Sequence, residues 1–91
     1  MKSVIPNDRE GICYLCGSYN GNHTHHIFGG PDRKVAERYG LKVHLCYLCH
    51  DRVHGKNGKE LMQMLHEIGQ RTFEETYDRE KFRKEFRKSY L

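Results

Sequence analysis

The sequence has no long hydrophobic run. No segment of its 91 residues approaches the roughly 18 consecutive apolar residues that a membrane-spanning helix requires, so no membrane span is predicted. Residues 1–11 contain only Val4 and Ile5 as aliphatic residues and carry a charged cluster at residues 8–10, which is unlike a secretory signal. We therefore expect a cytoplasmic protein.

Hydrophobic residues are also scarce. They make up 36% of the chain, against 31% charged residues, which is lean for a self-sufficient core in so short a chain. Small domains often recruit a metal ion to compensate for a small core. No linker or low-complexity segment interrupts the sequence, so we expect residues 1–91 to form one domain.

Four cysteines form two CxxC pairs, Cys13 with Cys16 and Cys46 with Cys49. Zinc favours four thiolates in a tetrahedron, and each CxxC turn supplies two of them, so we expect a structural zinc whose removal unfolds the domain. Disulfides are disfavoured in a cytoplasmic protein. The run from Cys46 to His50 also matches the C-x-x-C-H haem-attachment pattern, but haem attachment requires export and leaves the first pair unexplained.

Four histidines accompany the cysteines without being needed for that zinc. His25 and His26 lie between the two CxxC pairs, and His50 and His54 follow the second pair. Histidines four residues apart share one face of a helix, which is a common way to present two ligands to a metal, and the earlier histidine pair could supply a third. The alternative is that His50 only caps or packs against the cysteine site.

Local patterns predict the elements around these residues. We expect a short strand near residues 25–28 and a helix over residues 32–39, with Asp32 as its N-cap and Gly40 as its stop. A second strand should contain residues 43–45, and a helix should run from residue 49 to residue 54. Side chains alternate along a strand, so adjacent His25 and His26 reach one site only if the strand bends or ends there.

The second half of the chain has helical spacing. Leu61, Leu65 and Ile68 follow the i, i+4, i+7 pattern of an amphipathic helix, which Gly69 is expected to interrupt. Aromatic residues then recur at steps of four, which predicts further helices packed on the domain. Residues 58–91 are therefore expected to form a helical extension.

The combined pattern of CxxC, His-His and CxxC-His with a further histidine resembles the HNH endonucleases, also called His-Me finger or ββα-metal nucleases. The resemblance covers residues 13–54, and the small size is similar to phage-type members. It implies an α+β fold with a ββα-metal core at residues 13–54 and additional C-terminal helices. The implied activity is metal-dependent hydrolysis of DNA phosphodiester bonds with little sequence specificity.

The resemblance also implies roles for single residues. His26 would be the catalytic general base, and His25, His50 and His54 would bind one catalytic divalent metal, which could be zinc, nickel, manganese or magnesium. The four cysteines would hold the separate structural zinc. The position of the family's central asparagine is occupied by Leu41. For a phage-encoded protein the resemblance implies the host cytoplasm, with DNA and phage terminase or other packaging proteins as partners.

Basic residues provide a weaker indication of nucleic-acid binding. The net charge is +4, and Arg33, Lys34 and Arg52 lie near the histidines in the sequence. They are candidates for phosphate contacts, and the alternative is that they are ordinary solvated surface charges. The alternative function for the whole chain is a zinc-ribbon module that binds nucleic acid without catalysis.

Overall fold

A two-stranded sheet and four helices make up the fold, which confirms the α+β class. The computed structural model describes residues 1–91. The elements, in chain order, are β1 (His23–His26), α1 (Arg33–Tyr39), β2 (Lys42–Leu45), α2 (Tyr47–His54), α3 (Lys59–Thr76) and α4 (Arg79–Phe86), with a single 3-10 turn at Gly30–Asp32. No helix has the length and apolar character needed to cross a membrane.

The sheet is a hairpin-like antiparallel pair whose strands are joined through α1. His25 is opposite Val43, and Thr24 is opposite His44. Because side chains alternate between the two faces, His25 and Val43 lie on the buried face of the sheet, whereas Thr24 and His44 lie on the other face. β1 begins two residues before the predicted strand and ends at His26, although Ile27 N–H still donates to Leu41 C=O at 3.0 Å.

The connection between the strands follows the prediction closely. α1 ends at Gly40, which adopts the left-handed conformation (φ 70°) that glycine accommodates best. Asp32 precedes the helix, but its side chain does not cap it. Instead, the carboxylate accepts a hydrogen bond from Arg87 at 2.7 Å, which ties the start of α1 to the end of α4.

α2 begins at Tyr47, two residues earlier than predicted, because the second CxxC turn forms its first turn. Cys46 is the N-cap, and its Sγ accepts a hydrogen bond from Cys49 N–H at 3.4 Å. His50 N–H donates to Cys46 C=O at 2.9 Å. The helix that carries His50 and His54 is therefore anchored at its start by the cysteines.

α3 is continuous from Lys59 to Thr76, so the predicted interruption at Gly69 is wrong. Gly69 is instead a site of close packing between α3 and the segment after β1. A Cβ atom at this position would lie 3.0 Å from Ile27 Cγ2 and 3.0 Å from Phe28 Cε2. A side chain at this position would therefore require Ile27 and Phe28 to shift, whereas glycine fits at a propensity cost of about 1 kcal/mol relative to alanine.

The C-terminal helices cover the core with aromatic rings, as the spacing of four predicts. The Phe28 ring contacts Phe82, Phe86 and Tyr90 with centroid distances of 4.6–5.5 Å. Tyr90 lies beyond α4, whose end is marked by a left-handed residue at Arg87 (φ 65°). The hydrophobic core is one cluster of 15 buried residues that includes cysteines of both CxxC pairs.

Candidate metal centre

The four cysteines lie together and could hold a metal such as zinc. The ligand atoms of Cys13, Cys16, Cys46 and Cys49 are all within 4.8 Å of one another, and no disulfide links them. The first CxxC turn is closed by hydrogen bonds from Gly17 N–H to Cys13 C=O and from Cys13 N–H to the Ser18 carbonyl, both 2.8 Å. The quartet therefore has the composition and closeness of a closed tetrahedral site.

The pKa values of the cysteine thiols are shifted in different directions, and a bound cation would stabilise their ionised forms. The neighbouring side chain and backbone of Ser18 lower the pKa of Cys16 to about 6. Burial, together with the neighbouring sulfurs, raises the pKa of Cys49. Cys16 Sγ is only 3.8 Å from Cys46 Sγ, so several thiolates at such distances require a positive charge between them.

Three histidines form a second cluster beside the cysteines. The ligand nitrogens of His25, His50 and His54 lie within 4.8 Å of one another. The His25 ring is 5.5 Å from the His50 ring and 5.3 Å from the His54 ring, and the latter two are 4.8 Å apart on successive turns of α2. The strand and the helix thus bring together the three residues that the resemblance implies as metal ligands.

His25 is the most constrained of the three. It is 4% exposed, and its Nε2 is a buried polar atom without a hydrogen-bond partner, which is unusual in a folded protein. Burial, followed by the neighbouring His54 and His50, lowers the pKa of His25 to about 4, and burial also lowers the pKa of His50. Neutral imidazoles with an unused buried nitrogen fit a metal ion as the missing partner.

His26 is positioned by a carboxylate that sequence reasoning missed. Its Nε2 lies 2.8 Å from Glu37 Oε1, and only 11% of the His26 side chain is exposed. Glu37 also contacts the Lys42 ammonium at 2.9 and 3.0 Å. The amino group of Met1, followed by His26 and Lys42, holds the pKa of the Glu37 carboxyl well below its ordinary range. Nothing in the spacing of Glu37 and His26 in the sequence indicates this pairing.

Two of the three basic candidates lie beside His26. Arg33 and Lys34 at the start of α1 line a polar cavity of about 340 Å³ together with His26 and Glu37. Arg52 does not line this cavity, and it is exposed on α2. The structure therefore groups Arg33 and Lys34 with the candidate base and separates Arg52 from it.

The residues near the expected asparagine position have structural roles. Leu41 is 1% exposed within the hydrophobic core. His44 Nδ1 lies 2.8 Å from Asp8 Oδ2, and Asp8 also accepts the His44 backbone N–H at 2.8 Å, so this histidine fastens the N-terminal segment to β2. Neither Leu41 nor His44 positions His26, whose side chain is instead held by Glu37.

Comparison with known proteins gives no relative for this chain. No protein-family model, no curated protein and no solved structure matches it.

Proposed function

We propose that the protein is a metal-dependent endonuclease of the HNH type that hydrolyses DNA phosphodiester bonds. The observation that carries the proposal is the buried, unpartnered Nε2 of His25, which lies beside His50 and His54. A structural zinc at the four cysteines accounts for none of these nitrogens. Three imidazoles on a strand and a helix leave coordination positions open, which is the arrangement of a catalytic rather than a structural metal site.

The chain divides the chemistry between two histidine sites. His25, His50 and His54 would hold a divalent metal, for which imidazoles favour zinc, nickel or manganese over magnesium. When bound, the metal would offset negative charge on a phosphate and on the departing oxygen. The cysteine site anchors the N-terminus of α2. It therefore also fixes the positions of His50 and His54 relative to β1.

His26 is suited to accept a proton from the attacking water. A carboxylate can only accept hydrogen bonds, so the Nε2 that faces Glu37 carries the proton and Nδ1 remains a free acceptor. The amino group of Met1 and the ammonium of Lys42 favour the ionised form of Glu37, which maintains this tautomer. Because side chains alternate along β1, His26 projects to the other face of the strand from His25, so in this proposal the substrate spans the end of β1, where His26 is the last residue.

Arg33 and Lys34 provide the substrate contacts in this proposal. Both are exposed at the cavity that contains His26, and neither makes a salt bridge within the chain. Contacts to phosphates position a nucleic acid without reading its sequence. We therefore propose a nuclease with little sequence specificity. A role in phage genome processing with packaging proteins is also proposed, and its support is the family resemblance alone.

A plasmid-nicking assay with Mg²⁺, Mn²⁺, Ni²⁺ and Zn²⁺ tests the proposed function. We expect conversion of supercoiled to open-circular DNA with at least one of these metals. His26→Ala should lower the rate by about 100- to 10,000-fold, the usual contribution of a general base. The variant should keep its zinc content and its circular dichroism spectrum.

His44→Gln is the matched control, because it removes a histidine from the same sheet while retaining a donor for Asp8. We expect it to nick DNA at the rate of the parent protein. If His26→Ala nicks DNA at the rate of the parent protein, His26 is not the general base. Absence of nicking by the parent protein with every metal, despite DNA binding, would favour a non-catalytic zinc-ribbon module.

A further inference from the structure

A small cavity lies where His23 of β1 meets the start of α2. Its volume is about 290 Å³, and its lining residues are Asn20, Asn22, His23, Cys46, Tyr47 and Leu48. This volume is near the lower end of the range of about 300–1,000 Å³ for small-molecule sites. The cavity therefore suits one planar ring system, and no aspartate or glutamate lines it.

One aromatic side chain at this cavity, that of Tyr47, is free for stacking. The Tyr47 ring is 68% exposed, and its hydroxyl makes no hydrogen bond within the chain. His23 is also exposed, and its ring lies 6.1 Å from the Tyr47 ring. Exposed aromatic rings are typical platforms for unpaired nucleobases.

The polar residues of the cavity fit the edge of a base. The side-chain amides of Asn20 and Asn22 each offer two donor hydrogens and an acceptor oxygen, and neither makes a hydrogen bond through its side chain within the chain. Such groups can meet the hydrogen-bonding edge of any base by rotation of the amide. They would therefore allow a base to bind without selection among the four.

The cavity is joined to the metal site by stacking of rings. The His23 ring is stacked on the His50 ring with a centroid distance of 5.5 Å and an interplanar angle of 26°. His23 and His25 lie on the same face of β1, so a phosphate at the histidine cluster would place its neighbouring nucleotide beside His23.

We propose that this cavity binds a single unpaired nucleobase next to the phosphate that is cleaved. The proposal rests on the proposed nuclease function and narrows its substrate to DNA that is single-stranded or locally unpaired. A base within a duplex has both faces stacked and its edge paired, so it cannot enter the cavity without being extruded.

Fluorescence of 2-aminopurine in a short single-stranded DNA tests the base site directly. The chain contains no tryptophan, so the probe can be excited without interference from the protein. We expect the zinc-loaded parent protein to quench the probe in the single strand and not in the matching duplex. Tyr47→Ala should bind the single strand about tenfold more weakly, as expected for one lost base–aromatic stack, and Tyr47→Phe should bind normally.

Tyr19→Ala is the control, because Tyr19 is 86% exposed and does not line the cavity. Its affinity should equal that of the parent protein. Cleavage is followed by gel on the same samples, which separates the two proposals. Cleavage without quenching, or equal affinity of Tyr47→Ala and Tyr19→Ala, would overturn the base site while the nuclease stands. Quenching that depends on Tyr47 without cleavage would support binding of a base at this cavity but overturn the nuclease, and with it the position of the base beside a cleaved phosphate.

Discussion

At the scale of single residues, Glu37 is the main addition that the structure makes to the site. A His-His pair marks candidate ligands and bases in a sequence, but it does not indicate what orients them. Glu37 belongs to α1 and meets His26 across a turn of the chain, and Lys42 from β2 completes the contact. In a nuclease, this carboxylate is a positioning residue, since it acts on the substrate only through His26.

Replacing Glu37 should affect catalysis more than stability. Glu37→Ala removes the acceptor that holds the proton on His26 Nε2, and we expect a loss of nicking activity of about 10- to 100-fold, the usual effect of losing an outer-shell hydrogen bond. Glu37→Gln retains an acceptor oxygen and should recover part of that loss. The rates are measured by plasmid nicking and compared with thermal unfolding of the same samples. A loss of activity that follows the loss of stability in both variants would contradict a positioning role.

At the scale of elements, short-range signals located most boundaries within two residues. The stop at Gly40 and the strand at residues 43–45 follow from local chemistry, because a left-handed glycine ends a helix and alternating apolar residues fit a half-buried strand. Gly69 is the exception. Its low helix propensity is outweighed by the close approach of α3 to Ile27 and Phe28, which no local pattern reveals.

Filling the space at Gly69 should destabilise the domain. In Gly69→Val, the added carbons would meet Ile27 and Phe28, which are buried and have little room to move. We expect a decrease in the free energy of unfolding of about 1–3 kcal/mol, the usual cost of overpacking. Chemical denaturation with zinc present measures this change.

Glu75→Val is the matched control for that substitution. Glu75 is exposed near the end of α3 and makes no salt bridge, so this variant places valine in the same helix without a new contact in the core. It should cost less than about 1 kcal/mol. Equal destabilisation by the two variants would show that packing at Gly69 is not close.

At the scale of the whole molecule, two metal sites of different character would share one small core. Structural zinc contributes about 10–16 kcal/mol in zinc-finger peptides, which equals or exceeds the total stability of about 5–15 kcal/mol of a typical domain. The cysteine site contributes residues directly to the hydrophobic core of this protein. The histidine site lies at the edge of that core, since His54 is exposed.

Stepwise removal of metal should therefore have two separate effects. A mild chelator should remove the metal at the histidines without changing the circular dichroism spectrum, whereas removal of the cysteine-bound zinc should unfold the chain. Metal content per chain should decrease from two to one in His54→Ala, and Cys49→Ala should lose its helical signal. A parent protein that binds a single equivalent of zinc or manganese under all conditions would contradict the second site.

The sequence by itself identified the cysteine and histidine clusters that could bind metal and the class of fold. CxxC spacing, histidines four residues apart and the glycine and aromatic signals are local patterns, and local patterns report the chemistry of a short segment. The tertiary structure alone decided which distant groups meet. It paired Glu37 with His26, placed Arg33 and Lys34 but not Arg52 beside them, used Leu41 in the core and left Tyr47 exposed next to His23. These contacts join segments that are distant in the chain, and no periodic pattern in the sequence relates them. They are therefore determined only by the folded arrangement.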